Sequence, residues 1–396
     1  MKIEPSYRVK MLPPYLFGKL NALKYQKRQK GEDIIDLGMG NPGDPTPPAV
    51  VAKLCDAVQD PRNHRYSTAT GIFSLKREVS FVYERRYGVK IDPNTEVICT
   101  IGSKEGLAHF CLAMMGPGDL AIVPQPAYPI HNFAVVLAGA SVVGIPLESE
   151  EQLLRDVDRI MRTFMPKPKL VILNFPHNPT ARTVELPFFD AMSRLARRHK
   201  FLVISDLAYA ATTFDGYKAP SFLQSKYGKD VCIEFSTMSK EYNMAGWRIG
   251  FAVGNAEAVG ALSRLKAYYD YGIFQPVQIA AIIAMRHCHQ EALEQAMRYQ
   301  RRRDVLCDGL ERAGWTIERP KASMFVWARI PEPYAKMGSV KFAYALMEKA
   351  LVSAAPGAGF GEAGEGYLRL ALVENEKRLR QAVAQIRRTF PVPTAK

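Results

Sequence analysis

Short apolar runs recur along the chain at residues 96–101, 120–123, 170–173, 201–204, 231–235 and 249–253. They are rich in Val, Ile, Leu and Phe and do not alternate with polar positions. That is the pattern of strands buried on both faces. Helical stretches are predicted at 17–30, 47–57, 74–87 and from the 102–106 turn to 115, with Gly31 and Gly88 placed as C-terminal caps. A short strand is expected at 34–37. Strand and helix thus alternate over the first two-thirds of the chain, which predicts an α/β fold with a mostly parallel sheet and helices on both faces. After an aromatic loop at 268–276 and a long helical stretch at 277–313, the pattern changes. Segments 315–317, 324–328 and 367–372 read as strands with helices between them, and a last helix runs from 376 to about 389. This predicts a smaller α+β domain. The expected division is 45–280 for the large domain, with 1–44 and 281–396 forming the small one.

Polar residues sit just beyond the C-terminal ends of the buried strands, where open α/β sheets bind ligands. Asn178, Asp206, Tyr209, Lys240 and Arg248 are therefore expected to converge on one crevice. Two loops add backbone to it. The glycine- and proline-rich 38–45 segment lets main chain approach a ligand closely. The turn Gly102-Ser103-Lys104-Glu105-Gly106, between a strand and a helix, offers free N–H groups to a phosphate.

The bulk numbers narrow the class. With 396 residues, 47% hydrophobic and 23% charged, the chain reads as an ordinary globular protein of two or three domains. No apolar run is long enough for a membrane span. The charged first ten residues lead into Met11-Leu12-Pro13-Pro14 without a signal-peptide core, so a cytoplasmic location is expected. Six scattered cysteines with no CxxC suit reduced thiols. His287-Cys288-His289 points its side chains in different directions on a helix, so no metal site is expected there. The net charge of +14 favours anionic partners, but no nucleic-acid motif accompanies it. Small anionic metabolites fit better.

Lys240 follows a strand end and the hydroxyls of Ser236, Thr237 and Ser239, and Arg248 comes eight residues later. A lysine so placed can hold an aldehyde cofactor as a Schiff base and then shuttle a proton. The cation and hydroxyls can hold that cofactor's phosphate. Asp206 suits pairing with a pyridine nitrogen, which keeps the ring an electron sink. A helix N-cap is the plainer role for it. Asn178 and Tyr209 can both bond a phenolic oxygen. Tyr128 can lie on a ring face or simply fill the core. Arg369 lies inside an apolar strand and needs an anionic partner, either a substrate carboxylate gripped by its planar fork or a structural ion pair.

Asn174-x3-Asn178-Pro179-Thr180, Asp206-x2-Tyr209, Ser239-Lys240, Gly246-Trp247-Arg248 and Arg369 together resemble the signature of class I/II, fold-type I pyridoxal-phosphate (PLP) aminotransferases, over essentially the whole chain. Leu12-Pro13-Pro14-Tyr15, Gly102 to His109, Tyr242 to Trp247 and Ala371 to Asn375 resemble bacterial alanine (glutamate–pyruvate) aminotransferases in particular. LL-diaminopimelate, aspartate and methionine aminotransferases are related alternatives. The resemblance implies a seven-stranded, mostly parallel sheet. It implies that Lys240, Asp206 and Tyr128 do the chemistry, and that Asn178 and Tyr209 contact the phenolic oxygen. Ser103, Lys104, Thr237, Ser239 and Arg248 would hold the phosphate. Tyr66 would reach the phosphate of a neighbouring subunit, which implies a homodimer with shared sites. Gly40, Asn178 and Arg369 would hold the substrate carboxylate, with Tyr15 at its border. His177, Thr237, Ala358 and Ala363 depart from the usual pattern without removing a catalytic group. A PLP-dependent C–S lyase shares the fold but would release ammonia and a thiol. A ligand-sensing regulator usually carries a DNA-binding domain, and no helix-turn-helix pattern precedes the first loop here.

Overall fold

The computed structural model describes residues 3–14 and 16–393. Strand β1 (Ile35–Asp36) comes first in the chain. The central sheet then takes seven strands: β2 (Val97–Thr100), β3 (Leu120–Gln125), β4 (Ser141–Pro146), β5 (Leu170–Asn174), β6 (Leu202–Asp206), β7 (Cys232–Thr237) and β8 (Gly250–Gly254). Their spatial order is β2-β8-β7-β6-β5-β3-β4. All run parallel except β8, which is antiparallel to both of its neighbours.

The apolar runs are continuous because each strand serves two cores. Val97, Val171, Val203 and Cys232 belong to one buried cluster, while their successors Ile98, Ile172, Ile204 and Ile233 belong to another on the opposite face. Side chains of a strand point alternately to the two faces, and helices cover both.

Polar exceptions inside such a sheet need partners. The Glu234 carboxylate on β7 is fully buried and accepts bonds from Tyr83 Oη at 3.0 Å, Ser205 Oγ at 2.9 Å, Ser221 Oγ at 2.5 Å and the Phe222 amide at 2.8 Å. Burial pushes its pKa up, and the four donors oppose that shift.

The C-terminal part contributes β9 (Phe325–Arg329), β10 (Val352–Ser353), β11 (Ala355–Pro356) and β12 (Tyr367–Ala371). An antiparallel sheet runs β11-β12-β9, and β1 pairs in parallel with β10. Tyr299, Leu306, Leu310, Phe342 and Ile386 close a separate apolar cluster against these strands.

Three sequence expectations change. The long helix at 277–313 is two helices, Gln275–His287 and His289–Arg312, broken at Cys288. The aromatic loop is shorter than 268–276. Tyr268 and Tyr269 end the helix Ala256–Tyr269, and Gln275 opens the next one. Segment 315–317 makes a single bridge, Ile317 to Ala328, rather than a strand. Strand β4 carries no sequence signal of its own. It lies at the sheet edge with only Ile145 buried, so it lacks the continuous apolar signal of the inner strands.

Replacing Glu234 by Ala strands four donors in a dry interior. Unfolding in urea should show a loss of about 3–5 kcal/mol, and a loss below about 1 kcal/mol would mean that the network contributes little.

Candidate active site

The C-terminal ends of β5, β6 and β7 open into a cavity of about 1020 Å³ that is also lined by residues from β9, β12 and the 39–44 loop. Strand register places Asn174 beside Asp206, and Asp206 beside Phe235. These polar ends are therefore levelled at one rim.

Asp206 is 7% exposed. Its Oδ2 accepts from His131 Nε2 at 2.9 Å. Its Oδ1 is buried and has no hydrogen-bond partner among the described residues. The Asp206 carbonyl accepts from Asn174 Nδ2 at 2.7 Å, and Asn174 Oδ1 accepts the Asn178 amide at 2.8 Å. Asn178 is thus fixed with its side chain between two functional groups. Its Nδ2 donates to Tyr209 Oη at 3.4 Å, and its Oδ1 accepts from Arg369 Nη1 at 2.8 Å. Arg369 Nη2 donates to the Gly38 carbonyl at 3.0 Å. The guanidinium lies 4.0 Å from the Phe325 ring centre and 4.7 Å from that of Phe360. Two aromatic faces stabilise the cation and hold its plane. Burial pushes the Tyr209 phenol far above its ordinary pKa, so it stays protonated at neutral pH. Burial raises Tyr128 as well.

Lys240 lies in the one-turn helix Met238–Glu241, which Thr237 caps by accepting the Ser239 amide at 3.2 Å. Its Nζ donates to the Gly40 carbonyl at 2.8 Å. Burial lowers its pKa to about 8, and the charges of Arg369 and Arg248 add to that effect. An amine so tuned is partly neutral near pH 8 and can act as a nucleophile.

A second cluster gathers around the start of the helix Ser103–Met114. A Cβ on Gly250 would fall 2.9 Å from the Ser103 amide nitrogen, so β8 runs against that helix end. Gly102 has φ +76°, and a Cβ there would collide with Arg248 Nη2. Arg248 itself has φ +54°. Glycine at 102 therefore lets the guanidinium approach the helix N-terminus. The Thr237 and Ser239 hydroxyls lie 2.8 Å apart on the same side of the cavity. Helix amides, hydroxyls and a guanidinium together suit an anion. Lys104 Nζ is 5.8 Å from the centre of the Tyr128 ring.

Of the residues singled out from the sequence, Gly40, Ser103, Lys104, Tyr128, Asn178, Asp206, Tyr209, Thr237, Ser239, Lys240, Arg248 and Arg369 all line this cavity. Tyr66 does not. It is 86% exposed and packs on Tyr271, with ring centres 4.7 Å apart. Tyr15 lies outside the described residues. His131, Phe325 and Phe360 belong to the site without standing out in the sequence. His131 is one helical turn after Tyr128, in a helix that follows a strand end, so the strand-end rule that found Asp206 covers it too. Phe325 and Phe360 reach the site only through the tertiary packing of the C-terminal sheet.

The residues fit PLP. The unpaired, buried Asp206 Oδ1 calls for an N–H donor. Lys240 supplies an amine of lowered pKa, Asn178 and Tyr209 supply donors, and the Ser103 helix end suits a phosphate.

The comparisons agree with that chemistry. A family model described as "Aminotransferase class I and II" matches residues 32–386. Glutamate-pyruvate aminotransferase AlaC of Escherichia coli (strain K12) is 52% identical over 97% of this chain and 93% of its own. An LL-diaminopimelate aminotransferase of Moorella thermoacetica is 42% identical over 98% of this chain and 99% of its own. A solved structure described as "Substrate bound BacF structure from Bacillus subtillis" superposes with a TM-score of 0.94 at 35% identity, covering 100% of both chains. The chain belongs to the class I and II aminotransferases, and it is a PLP-dependent enzyme of fold type I.

Proposed function

We propose that the protein moves an α-amino group between L-alanine/pyruvate and L-glutamate/2-oxoglutarate in a two-stage cycle. The observation that carries the amino-acid part is the Arg369 fork, held at 2.8 Å by Asn178 and at 3.0 Å by Gly38 in the cavity that holds Lys240. A planar cation between two aromatic faces binds an α-carboxylate in two-point fashion. The preference for alanine is supported by the 52% identity to AlaC.

PLP bound in the cavity supplies the electron sink that makes the substrate α-proton acidic. The chain's own residues do the rest. Lys240 Nζ would hold the cofactor at its aldehyde carbon, and the free amine would carry the proton to and from the substrate α-carbon. Asp206 Oδ1 would accept the ring N–H while His131 holds Oδ2. Tyr209 Oη and Asn178 Nδ2 would bond the phenolic oxygen, and Tyr128 would cover a ring face. The Ser103 helix end, with Lys104, Thr237, Ser239 and Arg248, would hold the phosphate. Gly40 and Arg369 hold the carboxylate. Phe325 and Phe360 keep water from the guanidinium, which strengthens its grip.

The same reading divides the chain into a large domain at 45–280 and a small one formed by 1–44 and 281–396. Separate apolar clusters around the two sets of strands support two units, but Ile282, Met285 and Cys288 pack in the large-sheet cluster and Tyr209 and Phe214 in the other, so the boundaries are approximate. It makes the protein a cytoplasmic homodimer in which Tyr66 serves the partner's site, and the exposed Tyr66–Tyr271 pair supports that. Its partners are amino acids and 2-oxo acids, not nucleic acid or membrane. Among the described residues no helix is long and apolar enough to cross a membrane.

The LL-diaminopimelate relatives at 42% identity favour a second reading. With PLP-loaded enzyme and 2-oxoglutarate as acceptor, kcat/KM for L-alanine should exceed that for LL-diaminopimelate, L-aspartate and L-methionine by at least about tenfold, a transition-state difference of about 1.4 kcal/mol. A higher value for LL-diaminopimelate overturns the alanine assignment. Release of ammonia and a thiol from a sulfur amino acid would point to lyase chemistry instead.

The lowered Lys240 pKa sets a pH dependence. Its folded value of about 8 lies below the ordinary 10.5, so the amine is neutral from about pH 8 upward. PLP uptake by the apoenzyme should quicken as pH rises through about 8 and level off above it. A rate that keeps climbing toward pH 10 would show an ordinary, solvated lysine.

A further inference from the structure

The helix Leu16–Gln29 puts Asn21 and Lys24 on the wall of the cavity, although neither lies near the Lys240 loop in sequence. Lys24 Nζ pairs with Asp36 Oδ2 at 2.5 Å and also donates to Asn21 Oδ1 at 3.0 Å. Asn21 Nδ2 reaches Met39 Sδ at 3.8 Å. The helix therefore grips the start of the 36–44 loop at two points. The Lys24 and Asp36 side chains are 12% and 18% exposed, so the pair is largely shielded from solvent.

The second Asp36 oxygen does different work. Oδ1 accepts the Gly38 amide at 3.1 Å. Backbone bonds fix the preceding residue: Leu37 N donates to the Ser353 carbonyl and Leu37 O accepts the Ala371 amide, at 2.9 and 2.7 Å. Beyond Leu37 the chain turns, and the Gly38 carbonyl accepts from Arg369 Nη2 at 3.0 Å. Ser353 presses from the other side, since a Cβ on Gly38 would lie 2.8 Å from its Oγ. A continuous path thus runs from Lys24 to Asp36, to Gly38, and to the guanidinium.

We propose that the Lys24–Asp36 pair is a positioning element for the carboxylate site: Asp36 sets the Gly38 turn that orients Arg369, and Lys24 cancels the Asp36 charge beside an anionic substrate. This rests on the reading that Arg369 binds the substrate carboxylate. The two halves of the pair give effects of different origin. Asp36→Ala removes the acceptor that holds Gly38. Asp36→Asn keeps an acceptor oxygen for the Gly38 amide and removes the negative charge. Lys24→Met keeps the turn but leaves an uncancelled negative charge facing the incoming anion.

The test is steady-state kinetics of the PLP-loaded enzyme with its best amino donor and 2-oxoglutarate as acceptor. PLP affinity and thermal unfolding are measured in parallel. Asp36→Ala should raise KM for both carboxylates about tenfold, and Lys24→Met about threefold or more, with kcat within about twofold, as expected for binding lost equally from ground and transition states. Asp36→Asn should stay within about threefold of the parent KM. PLP affinity should not change.

Arg369→Lys is the control and should raise KM by about a hundredfold. If it leaves KM unchanged, the carboxylate reading of Arg369 falls. If it raises KM while Asp36→Ala and Lys24→Met do not, only the positioning role falls. If Asp36→Ala does not fold, Lys24→Met decides, because it leaves the Gly38 turn intact. If Asp36→Asn behaves like Asp36→Ala and all the variants lose kcat and PLP affinity together, the pair supports the fold and not the carboxylate site.

Discussion

A carboxylate oxygen with no partner in a protein interior is costly, by about 1–3 kcal/mol for a neutral group and more for a charged one. Among the described residues Asp206 carries such an oxygen, at the end of a strand buried on both faces. Its other oxygen is held by His131, and its carbonyl by Asn174, so the side chain cannot turn away to find a partner. The cost is fixed into the sheet, and a ligand that brings an N–H donor relieves it. The surrounding groups are ordered outward from that point: Asn174 orders Asn178, Asn178 joins Tyr209 to Arg369, and Arg369 reaches the loop whose Gly40 carbonyl meets Lys240.

The sheet explains why these groups meet. Parallel strands end together, so the residues after β5, β6 and β7 share one rim although they lie up to 66 positions apart, from Asn174 to Lys240. The single antiparallel strand, β8, brings Gly250 back against the Ser103 helix end. Its entry places Arg248 beside Gly102, which closes the anion cup. The C-terminal strands supply what the large sheet cannot, namely a cation held between Phe325 and Phe360.

The inner strands were legible because burial on both faces leaves an unbroken apolar run. The strand-end rule then picked out Asn178, Asp206, Tyr209, Lys240 and Arg248 without any knowledge of distance. Edge strand β4 was not legible, since an exposed strand carries no such run. The break at Cys288 was hidden as well, because the composition on both sides of it is helical. Phe325 and Phe360 could not be assigned to the site, since an aromatic residue in an apolar segment reads as core. The pairing of Lys24 with Asp36 joins a helix face to a turn, and nothing local marks those two residues as neighbours. Convergent polar groups at strand ends leave a trace in the sequence, whereas contacts between elements do not.

The role that this geometry serves is that of Lys240, which would hold the cofactor opposite Asp206. Its most direct test is borohydride reduction of the PLP-loaded enzyme, followed by peptide mapping by mass spectrometry. A stable phosphopyridoxyl group is expected on the peptide that contains Lys240, at close to one per chain. A label on Lys104 or another lysine, or no label at all on a protein that binds PLP, would contradict it.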